Sequence, residues 1–442
     1  MNILVLFISI LCYIFAPNGY SQPFIVFLFL LFCFQIVLYL RYNSKGQLIN
    51  FHTIFLLTSI IVVYLYPLFV HPIGGSYIYN LHEETINKGT ALAQSCLAGY
   101  LYGVSIIHTK KKTIQIGYKK VSIKLILILF YFFSIYMCAY YIPFIGVEYG
   151  GFEKDDTTAL ILLLLFAVLI TLNSNNQKDR IKNLVDFVSC NKTILLPIMI
   201  VCVVLLLVGI RYAVLSILLV GLVSYITYSQ RINYRLIIIA GIFILFVFFL
   251  VVATRGGSSF NDYNEQLDTE IPKIFYVLKD LMCISNNLYA GVAYIEQYGW
   301  LYGASIIPQL FAPIPFMPSL LTQSLYGTNV TQQTTQYILS DFLGTIRVEH
   351  TTFVGTNCFV DLYMNCGYML TILIFVCVGI FVQKITINRM SSIYYQFTYF
   401  ILVSQAIFMV RDTLYFCYRP IIWGIAIIYT LFHLKNNHSC KL

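Results

Sequence analysis

Four consecutive residues, Arg347 to His350, combine a cation, a carboxylate and an imidazole in the sequence RVEH. Transfer of a glycosyl, phosphoryl or acyl group to a hydroxyl requires a base that takes the hydroxyl proton. A histidine or glutamate that titrates near neutral pH suits this role. His350 and Glu349 are therefore the candidate catalytic residues, and a solvated loop is the alternative interpretation of the same stretch.

Arginines occur where the sequence changes from apolar to polar. A guanidinium suits phosphate because it donates two hydrogen bonds in one plane and keeps its charge in a poorly hydrated site. The alternative is snorkelling, in which the stem rests on lipid and the charged head reaches water. For Arg411, a structural ion pair with the adjacent Asp412 is favoured. The arginines of this group are Arg211, Arg255, Arg347, Arg411 and Arg419.

Arg211 lies inside an apolar run, residues 194–228, that contains 35 residues. As one helix the run would be about 52 Å long, well beyond a hydrocarbon core of ~30 Å. Lys192 precedes the run and Arg231 follows it, and both are typical of cytoplasmic loops. The run is therefore predicted to cross the membrane twice, with Arg211 at the outer apex of a tight hairpin. Intramembrane charges usually face the protein interior, which favours a binding role for Arg211.

These residues require a framework of membrane-spanning helices. The chain has 442 residues, of which 59% are hydrophobic and 10% charged, and apolar stretches long enough to cross a bilayer recur from end to end. The sequence predicts an all-α polytopic membrane protein whose N-terminal stretch is a retained span rather than a signal peptide. Twelve spans are predicted, at about 2–17, 23–40, 51–70, 89–107, 121–143, 157–172, 194–210, 212–228, 235–253, 367–383, 392–410 and 413–433.

The charges give this arrangement an orientation. With both termini cytoplasmic, the inner side holds 18 of the 27 basic residues and two of the 18 acidic residues. Lysines and arginines in short loops set the orientation of membrane proteins, and every inner loop agrees here. The net charge of +9 is thus a topology signal, and no basic face remains to suggest nucleic acid as a partner.

One long polar segment, residues 254–366, separates nine predicted spans in 1–253 from three in 367–442. The topology places this segment outside. Part of it has apolar residues at helical spacing. Four prolines in ASIIPQLFAPIPFMPSLL break regular helix, while the apolar residues keep this stretch near the membrane or packed on the spans. The segment is the predicted functional region.

Metal and disulfide chemistry find little support in the sequence. Most of the twelve cysteines lie in apolar stretches, and the chain contains no CxxC pair or Cys/His cluster with zinc spacing. Cys283, Cys358 and Cys366 lie in the long segment, where the sequence does not support a particular disulfide. We predict no metal and no cofactor. One loop has acidic and imidazole side chains whose spacing is loose for a metal site: His71, His82, Glu83 and Glu84.

At GIRYAVLSILL, IIPQLFAPIPFMPSLL and HTTFVGTNCFVDLYMNCGYMLTILIFVCVGIF, the chain resembles the Wzy-type O-antigen and oligosaccharide repeat-unit polymerases. These are similar to the O-antigen ligases. The shared features are an arginine that opens a span after Gly-x, a proline-rich outer segment, and a Y-x-N-x-G start of the next span, here Tyr363, Asn365 and Gly367. The resemblance covers residues 200–383, and the earlier spans match only in number and hydropathy.

The resemblance implies a GT-C-like polymerase or ligase architecture in the bacterial inner membrane. It implies transfer of a growing glycan from undecaprenyl diphosphate to an incoming lipid-linked repeat unit on the periplasmic face, with a chain-length regulator as a candidate partner. Pyrophosphate is a good leaving group, so neither a general acid nor a metal is required, and arginines would stabilise its departure. Arg211, Arg255, Arg347, Tyr363 and Asn365 are then the implied substrate-binding residues.

The same resemblance bears on the base. The ligases have a histidine at the place of His350, but this chain has EHTTF where ligases favour His-Asn, so His350 and Glu349 both remain candidates.

Two other activities remain as alternatives. An O-antigen ligase differs mainly in its acceptor, which the sequence does not reveal. A lipid-linked oligosaccharide flippase is expected to show two similar halves and short outer loops, and the single long segment opposes it. A metal-dependent glycosyltransferase is not among these alternatives, because it would place paired carboxylates in its first outer loop. That loop reads NGYSQ here and contains no carboxylate.

Overall fold

The computed structural model describes residues 1–42, 49–73, 83–107, 123–145, 156–233, 284–344 and 355–439, with the single positions 235, 241 and 282. All regular secondary structure in these ranges is helical, and they contain no strand. This confirms the predicted all-α class, and the many apolar helices support a multi-pass membrane protein. The predicted ninth span, 235–253, lies outside the described ranges apart from positions 235 and 241.

Fifteen α-helices are described, several of them extended by short 3-10 turns. The third continues without a break as a π-helix, Ile60–Val70, and a 3-10 turn, His71–Ile73. The helices are α1 Asn2–Ile14, α2 Gln22–Tyr42, α3 Phe51–Ser59, α4 Ile86–Ile106, α5 Lys124–Tyr141, α6 Asp156–Asn176, α7 Leu184–Leu207, α8 Arg211–Tyr228, α9 Ser285–Tyr298, α10 Ile306–Leu310, α11 Met317–Tyr326, α12 Thr335–Phe342, α13 Cys358–Asn388, α14 Ile393–Arg411 and α15 Tyr418–Ser439.

The predicted number of spans can be compared with the helices element by element. Within the described ranges, nine helices are long and apolar enough to cross a membrane, and each matches one predicted span. The remaining three predicted spans are not among these nine helices. Helix α1 has only 13 residues, and α4 has 21 residues but carries polar side chains. The span 235–253 lies outside the described ranges apart from positions 235 and 241. Twelve spans and their orientation therefore stay predictions.

The predicted break in the run 194–228 is confirmed. Helix α7 ends at Leu207, and Gly209 adopts a φ of 89°, in the left-handed region. The Gly209 N–H donates to the Leu206 carbonyl at 3.0 Å, and the Ile210 N–H donates to the Leu205 carbonyl at 2.8 Å. This pair of bonds is a Schellman motif, in which N–H groups after the helix end satisfy two of its last carbonyl groups. Helix α8 then begins at Arg211 and packs against α7.

The chain forms two compact units, each built from three segments. The first unit contains Met1–Lys111, Thr269–Ile387 and Ala406–Arg419. Its central element is α4, which is buried on nearly all sides and contacts α1, α2 and α9. Because protein surrounds α4, its polar side chains have their hydrogen-bond partners inside the unit. Gln94, for example, accepts a hydrogen bond from the Tyr64 hydroxyl at 2.5 Å, and the Ser95 hydroxyl donates to the Ser9 carbonyl at 2.9 Å.

Small residues bring α4 and α13 close together. A Cβ atom added at Gly103 would overlap the backbone carbonyl of Val376, and one added at Gly379 would overlap the carbonyl of Tyr100. Gly99 lies one turn before Gly103, and a Cβ there would be 3.2 Å from the Ile372 carbonyl oxygen. This is the GxxxG type of helix contact, in which two backbones pack without side chains between them.

We expect Gly103→Ala to destabilise the first unit because its methyl group meets backbone that cannot move away without separating two helices. Overpacking of this kind costs about 1–3 kcal/mol or more. The matched control is Gly221→Ala in α8, where the nearest atom to an added Cβ is Phe166 Cζ at 4.0 Å. The thermal midpoint of the purified protein in detergent should fall for Gly103→Ala and stay unchanged or rise for the control. Equal midpoints would contradict the close contact.

The second unit contains Lys112–Asp268, Asn388–Gln405 and Pro420–Leu442. Helices α5, α6, α7 and α8 pack against one another in it, and α6 is the most buried of the four. Its polar residues are also paired internally: Asn173 donates to the Asn191 side-chain oxygen at 2.8 Å, and the Tyr228 hydroxyl donates to Gln396 Oε1 at 3.1 Å.

Helix α13 is bent rather than straight. It has 31 residues, and Gly367 inside it adopts a φ of 75° and a ψ of 173°. A Cβ at this position would overlap the indole of Trp300, so both the backbone conformation and the available space require glycine. The part after the bend coincides with the predicted span 367–383. The part before the bend, Cys358 to Cys366, is predicted to belong to the long segment and forms about two helical turns, buried from Cys358 to Asn365.

Candidate functional site

The part of α13 before the bend carries buried polar side chains, among them an acidic residue. Asn357 precedes it, and its Oδ1 atom accepts a hydrogen bond from the Val360 N–H at 3.0 Å, the pattern of a helix N-cap. Every residue from Cys358 to Asn365 is buried. Asp361, with 1% of its surface exposed, is the acidic residue of this turn. A buried carboxyl in an apolar helix of a membrane protein marks a candidate functional site.

Four side chains form a continuous hydrogen-bonded chain that ends on this carboxyl. Asn365 Nδ2 donates to Ser305 Oγ at 2.7 Å, Ser305 Oγ lies 2.7 Å from Thr335 Oγ1, and Thr335 Oγ1 donates to Asp361 Oδ1 at 2.5 Å. Because each hydroxyl has one proton, the bond between the two hydroxyls must run from Ser305 to Thr335. We call Ser305, Thr335, Asp361 and Asn365 the clamp.

The clamp joins distant parts of the chain. Ser305 precedes α10, and Thr335 is the first residue of α12, so their contact closes the intervening chain into a loop. We call residues 306–334 the lobe. The backbone adds two further ties at the same place: the Ser305 N–H donates to Asn365 Oδ1 at 3.3 Å, and the Leu301 N–H donates to the Met364 carbonyl at 2.8 Å. The lobe is thus anchored on α13 directly before its bend.

The second carboxylate oxygen of Asp361, Oδ2, has no hydrogen-bond partner among the described residues. Asp412, in the turn after α14, acts on Asp361 electrostatically as a like charge. Burial raises the pKa of the Asp412 carboxyl to about 6, against the lowering influence of Arg411. The influence of Arg411 is electrostatic, and the ion pair with Asp412 that the sequence favours stays a prediction. Two carboxyls therefore lie in one poorly solvated region, which disfavours charge on both at once.

Aromatic residues pack beside the clamp. The Tyr363 hydroxyl lies 3.0 Å from the hydroxyl of Tyr13 in α1, and the Tyr13 ring stacks on Tyr368 with ring centroids 3.8 Å apart. The Trp300 ring centroid lies 5.8 Å from that of Tyr363. Tyr363 and Asn365, predicted to bind substrate, are both buried, and their contacts position α13 against α1 and the start of the lobe. Substrate binding by either residue stays a prediction.

Arg211 belongs to the second unit, where it is the first residue of α8 and partly buried. Ile210, which precedes it, provides no side-chain cap, so the N–H groups of the first turn have no partner from that residue. A helix N-terminus carries a partial positive charge, and cations are normally unfavourable there. A guanidinium at this position makes the end of the helix more attractive to an anion.

Four of the seven predicted site residues lie outside the described ranges: Arg255, Arg347, Glu349 and His350. Among the described residues, no group of three His, Cys, Asp or Glu side chains has the arrangement of a metal site. This includes His71, Glu83 and Glu84, whereas His82 is outside the described part of the chain. Cys358 and Cys366 are both free thiols, and Cys283 is not described.

Sequence reasoning missed three members of the clamp. Asp361 had a detectable signal, since it is a single acidic residue in the apolar stretch CFVDLYM, and such a residue is costly unless it has a partner. Ser305 and Thr335 gave no such signal, because their contact depends on the path of the chain over the 29 residues between them.

No family model matches the chain, and neither a curated protein nor a solved structure matches it.

Proposed function

We propose that the chain is an O-antigen, or oligosaccharide repeat-unit, polymerase of the bacterial inner membrane. It transfers a growing glycan from undecaprenyl diphosphate onto an incoming lipid-linked repeat unit at the periplasmic face. The proposal rests on the sequence resemblance, and the multi-pass helical architecture is compatible with it.

The observation that supports the proposal most directly is the position of Arg211. The resemblance requires an arginine that opens a span, and Arg211 is the first residue of α8, directly after a tight turn from α7. A guanidinium at the N-terminus of a helix, where the backbone N–H groups and the helix dipole also favour negative charge, is a donor of the kind that binds phosphate oxygens. A diphosphate that becomes more negative as it leaves would be stabilised by both.

The second supporting observation concerns the Y-x-N-x-G residues. Tyr363, Asn365 and Gly367 lie within about one turn of α13, and each has a defined task there. Tyr363 contacts α1, Asn365 belongs to the clamp, and Gly367 bends the helix around Trp300. The motif therefore holds the start of a span against the lobe, in the segment where the proposed chemistry takes place.

The proposed reaction needs one proton acceptor. A hydroxyl of the non-reducing-end sugar of the incoming repeat attacks the anomeric carbon of the donor glycan. The bond from this carbon to the phosphate oxygen breaks, and undecaprenyl diphosphate leaves with the electron pair. The hydroxyl proton passes to His350 or to Glu349, whose ordinary pKa values near 6.5 and 4.3 allow either to accept it near neutral pH.

Replacement of His350 tests this proposal. A strain that lacks the gene should attach a single repeat unit to its lipopolysaccharide core, and the native gene should restore the ladder of long chains on a silver-stained gel. We expect His350→Ala to lower the rate about 10²- to 10⁴-fold and to collapse the ladder to one or a few repeats. His350→Gln should fail almost as badly because glutamine keeps the size but not the basicity.

Two comparisons interpret the result. The matched control is His438→Ala, a histidine in the predicted cytoplasmic tail, which should support a normal ladder at the same protein level. If Glu349→Gln abolishes the ladder and His350→Gln does not, the base is Glu349. Normal ladders from both variants would remove RVEH from the mechanism. A deletion strain with no repeat at all on the core would instead favour a flippase or a ligase.

A further inference from the structure

The lobe has a surface that is unusual for a segment outside the spans. Large apolar side chains point away from the protein on both of its helices and at the turn between them. Phe316 is 86% exposed and Leu320 62% exposed, values as high as those of exposed apolar residues on the candidate spans, such as Leu373 at 59%. The exposed apolar residues are Leu310, Phe311, Ile314, Phe316, Leu320 and Leu325.

The lobe also lies in a region without charge. From Gln297 to Ser340 the sequence contains no Asp, Glu, Lys, Arg or His. Charges resume on both sides, at Glu296 and Asp341, and Glu296 is paired with Lys88 at 2.5 Å where both side chains are well exposed. A surface that contacts water is normally rich in charged residues, and a surface that contacts hydrocarbon is not.

Aromatic residues with polar tips lie between the charged pair and the lobe. Tyr298, Trp300 and Tyr302 follow Glu296 within six positions, and all three are exposed. Tyrosine and tryptophan are enriched where a membrane protein passes from headgroups to hydrocarbon. The order of charged pair, aromatic residues and apolar lobe therefore reproduces the order of water, interface and bilayer.

The position of the lobe on α13 agrees with this order. Residues before the bend at Gly367 are buried, whereas large apolar side chains become exposed directly after it, at Met369, Leu370 and Leu373. The lobe is anchored at Met364 and Asn365, one turn before this apolar surface begins. The base of the lobe is thus about one turn from the exposed apolar surface of a helix that is long and apolar enough to span a membrane.

The turn between the two lobe helices supports a role for the exposed side chains. Phe316 adopts a φ of 65°, a left-handed conformation that bulky residues rarely take. Neither burial nor a side-chain cap compensates for it, because the ring is almost entirely exposed. Strained residues of this kind persist where their position serves a function.

We propose that the lobe inserts into one leaflet of the lipid bilayer, with Phe316 at the deepest point and the clamp at its base. The inserted part is the region of α10 and α11, and the polar end of the lobe, from Thr328 to Thr334, stays in the headgroups or water. This inference does not depend on the proposed reaction. A glycan is a poorer occupant because the exposed apolar set offers its hydroxyl groups no hydrogen-bond partners.

Fluorescence quenching in vesicles tests the insertion. The full-length protein with its native cysteines replaced receives one cysteine at Phe316, Leu320 or Thr331, labelled with the environment-sensitive dye NBD. After reconstitution into phosphatidylcholine and phosphatidylglycerol vesicles, the dye at 316 and 320 should be blue-shifted. Lipids with a nitroxide on the acyl chain should quench it, and aqueous iodide should not. At Thr331, an exposed polar position, the opposite pattern is expected, and Leu373→Cys on the span gives the lipid reference.

Each other outcome of the quenching experiment would overturn the insertion of the lobe. Quenching by iodide at 316 and 320 would overturn the insertion and leave a water-facing surface. Protection from both quenchers would also overturn it, because the lobe would then be covered by protein, such as a second copy of the chain. If a labelled variant fails to fold, Leu325→Cys, at the other strongly exposed leucine of α11, replaces it. Failure of the insertion would leave the His350 result unaffected, so the two proposals are tested separately.

Discussion

Arg211→Ala is expected to abolish long glycan chains while the protein still reaches the membrane at its normal level. Removing one preorganised donor to a developing negative charge typically costs about 10²- to 10³-fold in rate. Helix α8 should tolerate the change, because a cation at a helix N-terminus is unfavourable by about 0.3–1 kcal/mol and alanine is a good helix former. A lost ladder together with a normal protein level and thermal midpoint would attribute the loss to binding of the diphosphate rather than to folding.

Two further variants sharpen this prediction. Arg211→Lys should restore the ladder only partly, because an ammonium cannot make the planar two-point contact of a guanidinium. Arg41→Ala removes an exposed arginine at the end of α2, on the predicted cytoplasmic side, and should leave the ladder intact. Protein level and thermal midpoint are measured for all three. Full polymerisation by a well-expressed Arg211→Ala protein would rule out the role.

Thr335→Val is expected to open the clamp and to have the largest effect on stability among the hydroxyl residues. Valine has nearly the same shape but cannot donate to Asp361 Oδ1 or accept from Ser305. It leaves the buried Asp361 Oδ1 without its donor and the Ser305 hydroxyl proton without its acceptor, although Ser305 Oγ still accepts from Asn365. These losses cost about 2–4 kcal/mol. The thermal midpoint in detergent should fall, and limited proteolysis should cut the lobe at lower protease concentrations. Thr331→Val, the same change at an exposed position four residues earlier, should have no effect.

Substitutions of Asp361 separate its hydrogen bond from its charge. Asp361→Asn keeps an acceptor for Thr335 and removes the charge of a carboxylate whose second oxygen has no partner among the described residues. It should leave stability unchanged or raise it, because an uncompensated buried charge is costly. Asp361→Leu removes the acceptor and should destabilise the protein as much as Thr335→Val. If Asn and Leu destabilise equally, the clamp depends on the charge and our interpretation is wrong.

The sequence was sufficient to predict the features that follow from hydropathy and helix length. The break before Arg211 was predictable because the run 194–228 is too long for one crossing and has cytoplasmic signals on both sides. The class and most span positions follow from the same reasoning. The start of α13 was placed at the bend, because the polar and apolar residues of 358–366 do not form a clear apolar run, although the structure buries them inside the first unit.

The central position of α4 and the clamp could not be predicted, because both depend on contacts between distant residues. The low hydropathy of α4 indicates that its polar side chains need partners, but nothing local in the helix shows which helices surround it. Its glycines at 99 and 103 become informative only when Gly379 is known to face them. Likewise, Asn365 was recognised through a motif, but its partners Ser305 and Thr335 come from the two ends of the lobe.

Helix α4 affects how the protein can enter the membrane during synthesis. The insertion machinery recognises a segment mainly by its hydropathy, and α4 does not reach the level of the nine apolar helices in the described ranges. Its polar side chains have hydrogen-bond partners on α1, α2 and the segment after α3, all of which are synthesised before α4. The surface around Gly103 packs against α13, which is synthesised much later. A reporter fused shortly after Ile106 would therefore measure the topology of an unfinished bundle, whereas a reporter inserted into the full chain would measure that of the protein.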